Sequence, residues 1–107
     1  MPAQERIQLD LQALIYREDA FWIAHCLEMD IAAEGATPME AIQSLVDVTN
    51  VQITAAIEEG DLASLFSPAP SELWRLFWLA KERPVRSLPR KSVKPVNRLR
   101  FREWATA

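Results

Sequence analysis

Apolar side chains recur at every second position early in the chain. Ile7, Leu9, Leu11, Ala13 and Ile15 fall on one face, with Gln8, Asp10 and Gln12 on the other. A period of two is that of a half-buried strand, which predicts one over residues 6–16. Arg17-Glu18-Asp19-Ala20 makes the turn that follows. It lacks the glycine that a two-residue primed hairpin favours, so a slightly longer connection is expected. Phe21–Leu27 is apolar on both faces, Phe21, Ile23, His25 and Leu27 on one and Trp22, Ala24 and Cys26 on the other. That pattern suits a central strand covered on both sides. A third, shorter strand is expected within Met29–Glu34, with Gly35 stopping it and serving a turn, to give an antiparallel meander.

The period then changes to that of a helix. Thr37-Pro38-Met39-Glu40 has the form of a capping box, with Thr37 at the N-cap, Pro38 at the first helical position and Glu40 at the third. Ile42, Leu45, Thr49, Ile53, Ala56 and Ile57 follow at helical spacing, and Gly60 supplies a stop. A helix over Pro38–Glu59 is predicted, with one face on the sheet. Asp61–Phe66 forms at most a short helical turn, and Ser67-Pro68-Ala69-Pro70 breaks the chain. Ser71 to about Lys81 is helical again, and Leu73–Ala80 is apolar at every position but Arg75. Such a helix must be covered on more than one side. Pro84, Pro89 and Pro95 mark an extended, basic linker, after which Val96–Trp104 alternates as a final strand.

The fold class that results is α+β. A three- to four-stranded, mostly antiparallel sheet is built in the order β-β-β-α, then a short apolar helix and a C-terminal strand. Residues 1–81 form the α+β domain and residues 82–107 a basic tail. The 107 residues suffice for one domain, and no apolar run is long enough to span a membrane. One cysteine builds no disulfide framework, and the first ten residues lack the apolar core of a signal peptide, so a cytoplasmic setting is expected.

Charge is divided unevenly along the chain. Residues 1–80 carry 3 basic and 13 acidic side chains, a net of −10, and residues 81–107 carry 9 and 2, a net of +7, which together give −3. An acidic body with a basic tail suggests either an acidic partner for the tail or self-neutralisation in an oligomer. Arg98, Arg100 and Arg102 share one strand face and could neutralise phosphates. They could equally cover a sheet edge or pair with acids such as Glu58, Glu59 and Asp61 of a neighbouring protomer. The acidic body would repel a duplex, which favours the second role. Phosphate binding through the tail predicts salt-dependent binding lost on removal of residues 82–107.

Little in the sequence carries catalysis. His25 neighbours the single cysteine, Cys26, but adjacent strand residues point to opposite faces, which suits a nucleophilic pair badly. Glu28 and Asp30 lie near without the spacing of a zinc site, and the two glycines build no phosphate loop. No catalytic, cofactor-binding or metal-binding residue is assigned, and the chain is read as a non-enzyme. Trp74, Phe77 and Trp78 on the second helix are the candidate interface of a homo-oligomer, a dimer or tetramer.

Residues 21–41, FWIAHCLEMDIAAEGATPMEA, resemble the core of the HicB-like antitoxin family. The pattern is carried by Phe21, Ala24, Cys26, Leu27, Glu28, Asp30, Gly35, Thr37, Glu40 and Ala41, and with the flanking strand and helix it covers residues 6–60. The resemblance implies a meander followed by a helix and often another strand, a fold likened to part of ribonuclease H without its catalytic cluster. It also implies a non-enzymatic, oligomeric partner in a toxin–antitoxin system, one that binds and neutralises a small basic HicA-like protein that cleaves messenger RNA. Acidic surface can mimic the phosphates such a partner would hold. Many family members carry a C-terminal DNA-binding module, whereas the tail here holds one candidate strand, so operator binding is not expected.

Overall fold

The computed structural model describes residues 9–82 and 96–104. Strands β1 (Leu9–Glu18), β2 (Phe21–Cys26) and β3 (Ile31–Gly35) form the expected antiparallel meander. Helix α1 (Pro38–Glu58) follows, then a single 3-10 turn at Leu62–Leu65 and helix α2 (Ser71–Leu79). The two-residue β4 (Lys81–Glu82) and β5 (Val96–Glu103) complete a sheet of order β3-β2-β1-β5-β4. The α+β class and mostly antiparallel sheet match the sequence reading. The basic linker and Ile7 lie outside the described residues.

The first hairpin is tighter than the sequence suggested. Glu18 pairs directly with Phe21, leaving Asp19 and Ala20 as a two-residue turn. Asp19 takes a φ of 55°, the left-handed region that Asp tolerates better than most side chains and that removes the need for glycine.

Alternation along the strands divides the molecule into two layers of core. On one sheet face, Leu11, Ala13 and Ile15 of β1, Ala24 and Cys26 of β2 and Phe101 of β5 are buried against Ala41, Ile42, Leu45, Val46 and Ile53 of α1. Each large aliphatic side chain so buried contributes about 1.5–3 kcal/mol. The fully buried stripe on α1 ends at Ile53, whereas Ile57 is 39 % exposed. The helix starts as its capping residues dictate: the Thr37 hydroxyl accepts from the Glu40 N–H at 3.1 Å. Glu40 reaches back one residue further than in the usual box and accepts from the Ala36 N–H at 3.0 Å.

On the other face, Leu14 and Leu27 are buried against Ala69, Phe77 and Ala80, with Tyr16, Leu73, Trp74, Leu76 and Trp104 around them. The chain crosses to this side at the β2–β3 turn, where the Ser67 N–H donates to the Glu28 carbonyl and the Ala69 N–H to that of Leu27. α2 rests on β1 with one stripe. Within the chain α2 is covered on one side only: Trp78 is 58 % and Leu79 68 % exposed, so the cover its other apolar positions call for is not supplied by the described residues of its own chain. β2 is covered on both faces only toward its end. On the side away from α1 the His25 side chain is 12 % exposed and Leu27 is buried, whereas Phe21 at its start is 48 % exposed, which corrects the expectation for that end.

β5 lies within the sheet, parallel to β1, with Leu11 opposite Leu99 and Ala13 opposite Phe101. The Trp104 N–H continues the ladder to the Ile15 carbonyl at 2.7 Å. The final strand thus pairs within its own chain.

Candidate functional site

The sheet face turned away from α1 collects most of the polar chemistry. Odd positions of β1 feed the α1 core, so Asp10, Gln12, Leu14 and Tyr16 emerge on the opposite side. In β2 the same alternation presents Phe21, Ile23 and His25 there, and in β5 it presents Arg100 and Arg102, register partners of Gln12 and Leu14.

Glu28 closes one end of this face. Its Oε1 accepts from the Gln12 backbone N–H at 2.8 Å, and its Oε2 accepts from the Gln12 side-chain amide. Burial raises the carboxyl above the usual carboxylate range, and the bonds from Gln12 partly offset that rise. Cys26 stands nearby but on the α1 side, fully buried. Burial first, and the charge of Glu28 second, push its thiol up to about 12, which leaves almost no thiolate at neutral pH.

His25 is held between two partners. Its Nε2 lies 2.6 Å from Asp30 Oδ1, and its Nδ1 lies 3.4 Å from the Tyr16 hydroxyl, whose ring stacks on the imidazole. Asp30 reaches the ring from a left-handed backbone position, φ 54°, at the end of the β2–β3 turn. Burial, then the charges of Glu18 and Asp30, raise the Tyr16 hydroxyl above its ordinary pKa. His25 and Cys26 lie on opposite faces, as strand alternation requires. Among the described residues, no group of three or more His, Cys, Asp or Glu side chains is arranged to hold a metal ion. Asp30 fixes the imidazole, and sequence reasoning missed it because the contact spans a turn whose backbone path periodicity does not reveal.

The three arginines of β5 have separate fates. Arg102 is half-buried, and its guanidinium sits 5.0 Å from the Phe77 ring centroid and 5.5 Å from that of Trp78. Its Nη1 points at the carbonyls of Trp78 and Ala80, 3.5 and 3.4 Å away, where the negative end of α2 favours a cation. Arg102 is thus a clamp holding α2 on the sheet. Arg100 is exposed, with Asp10 3.9 Å away, a surface pair of small energetic weight. Arg98 pairs in register with Asp10, and its side chain lies outside the described ones.

The three aromatic positions on α2 separate likewise. Phe77 is 1 % exposed and packs inside the chain's own core, so it offers no surface to a neighbour, and its place in an oligomer interface is corrected. The reason is that α2 needs one apolar stripe to cover Leu14, and Phe77 is its centre. Trp74 is half-buried in the same cluster, and Trp78 alone of the three stands largely in solvent.

Acidic groups gather on the outer side of α1. Glu40, Asp47, Glu58 and Glu59 are exposed, Asp61 follows them, and residues 38–61 contain no Lys or Arg. Glu58 and Glu59 stand at the negative end of the helix, where acidic side chains are unfavourable. No described helix is long and apolar enough to cross a membrane. No protein-family model, curated protein or solved structure matches the chain.

Proposed function

We propose that this chain is a non-enzymatic binding module of the HicB-like antitoxin type, and that its partner is a small basic protein of the HicA-like, messenger-RNA-cleaving kind. The observation that carries this reading is the acidic outer surface of α1. Five carboxylates from Glu40 to Asp61 stand exposed with no basic side chain among residues 38–61. Two of them oppose the helix dipole, a local cost that a cationic partner would turn into attraction. The order of elements, three strands, a helix and a later strand beside the first, is in keeping with what the resemblance implies.

The test is affinity capture of tagged protein from its native lysate, with and without nuclease, beside the triple variant Glu58→Lys, Glu59→Lys, Asp61→Lys. Near-equal recovery of a small basic protein that survives nuclease and is lost with the variant supports the reading. Recovery of nucleic acid instead, released by nuclease and by Arg100→Glu, would replace it with phosphate binding on the β5 face. A partner that the triple variant retains fully would remove α1 as the binding surface.

A further inference from the structure

β3 is the outermost strand on its side of the sheet, and no described residue pairs with its outer edge. An open edge presents a row of backbone donors and acceptors, which proteins usually guard with proline, lysine, a bulge or a covering segment. β3 reads Ile31-Ala32-Ala33-Glu34-Gly35, with neither proline nor lysine, and its register with β2 runs unbroken from Ile31 to Gly35. Its only charge, Glu34, is on the exposed face with Ala32, while Ile31 and Ala33 turn to the α1 side and are half-buried.

The strand is also complementary to itself. When two copies run antiparallel about a two-fold axis at Ala33, Ile31 falls opposite the other copy's Gly35, and Glu34 opposite its Ala32. Each large side chain then meets a small one on the same face, and the two glutamates avoid direct opposition. A one-residue slip in register would lose this matching.

We propose that the chain self-associates by pairing β3 with β3 of a second copy, so that the two sheets become one. The contact uses the backbone edge of β3 and neither the carboxylates at the C-terminal end of α1 nor the α2 aromatics, and the proposal stands whether or not a basic partner binds there. It gives the oligomer an isologous contact built on main-chain hydrogen bonds, in the manner of strand addition.

Ala32 provides the test, because it is exposed, with His25 of β2 as its register partner within the chain. Ala32→Glu places a carboxylate opposite Glu34 of the second copy, twice per dimer, whereas Ala32→Lys places an ammonium there. Sedimentation equilibrium of the full chain is expected to show a dimer that Ala32→Glu weakens about tenfold or more and Ala32→Lys tightens. Residue 32 also neighbours Glu34 and His25 of its own chain, so urea midpoints and far-UV circular dichroism of both variants separate an effect on the fold from an effect on pairing. A wild-type chain that stays monomeric at millimolar concentration would overturn the proposal. So would a dimer indifferent to both Ala32 variants but dispersed by Trp78→Gln, which would put the contact on α2.

Discussion

At the scale of single residues, the polar groups of the second sheet face divide into those that hold the fold and those left for solvent. Arg102 and Glu28 belong to the first kind, and Arg100 to the second. Glu28 carries a pH signature. Its folded pKa is raised by burial, so its ionised form costs stability in the fold. The stability it contributes is complete below its unfolded pKa and is lost as pH rises through the higher folded value. Glu28→Gln does not titrate, so the pair isolates this residue. Urea midpoints of the two proteins at several pH values are expected to shift in favour of the wild type as pH falls from neutral into the acid range. A shift the other way would mean that the bonds from Gln12 outweigh burial. None of this was legible in the sequence, where Glu28 reads as one word of a motif. Its partner sits sixteen residues away, and only the backbone path around Leu27 brings the two together.

At the scale of elements, what was legible was local. The start of α1 is written in Thr37, Pro38 and Glu40, all within one turn, and its end in Gly60, which takes a φ of 70°. Gly35 was legible as a breaker but not for its reason, since its φ is not in the left-handed region. It is small because α1 starts directly above it: a Cβ there would lie 2.5 Å from the Ala41 nitrogen and 2.7 Å from the Glu40 backbone. Backbone atoms cannot step aside as a side-chain tip can. Gly35→Ala is therefore expected to cost about 1–3 kcal/mol or more, read as a lowered urea midpoint. Gly60→Ala, with open space around it, is expected to cost only about 1 kcal/mol for its positive φ. Equal costs at the two sites would argue against the close approach of α1 to β3. The two-residue turn at Asp19 was not legible because it rests on a left-handed φ at a residue other than glycine, and the one-sided burial of α2 because it depends on what packs against it.

At the scale of the whole molecule, the uneven charge invites division into an acidic domain and a basic tail, but the sheet joins them. A parallel pairing between strands at opposite ends of the chain leaves no local signal, so alternation predicted β5 as a strand without saying where it would lie. It lies beside β1, and its Phe101 is 2 % exposed in the core shared with α1. Removing residues 82–107 would therefore do more than discharge the tail. Loss of a buried Phe alone costs about 3–5 kcal/mol. Against a typical total of about 5–15 kcal/mol, the further loss of the β1 ladder leaves little margin. The truncated chain is expected to lose its cooperative urea transition, followed by tryptophan fluorescence, so any loss of binding it shows would report unfolding. Arg100→Glu separates charge from fold, because the side chain is exposed and its pairing with Asp10 is weak. That variant should keep the transition to within about 1 kcal/mol while reversing the charge at the centre of the β5 face. A truncated chain that unfolds cooperatively at the wild-type midpoint would show that β5 is dispensable to the sheet, and the tail could then be treated as a separate arm.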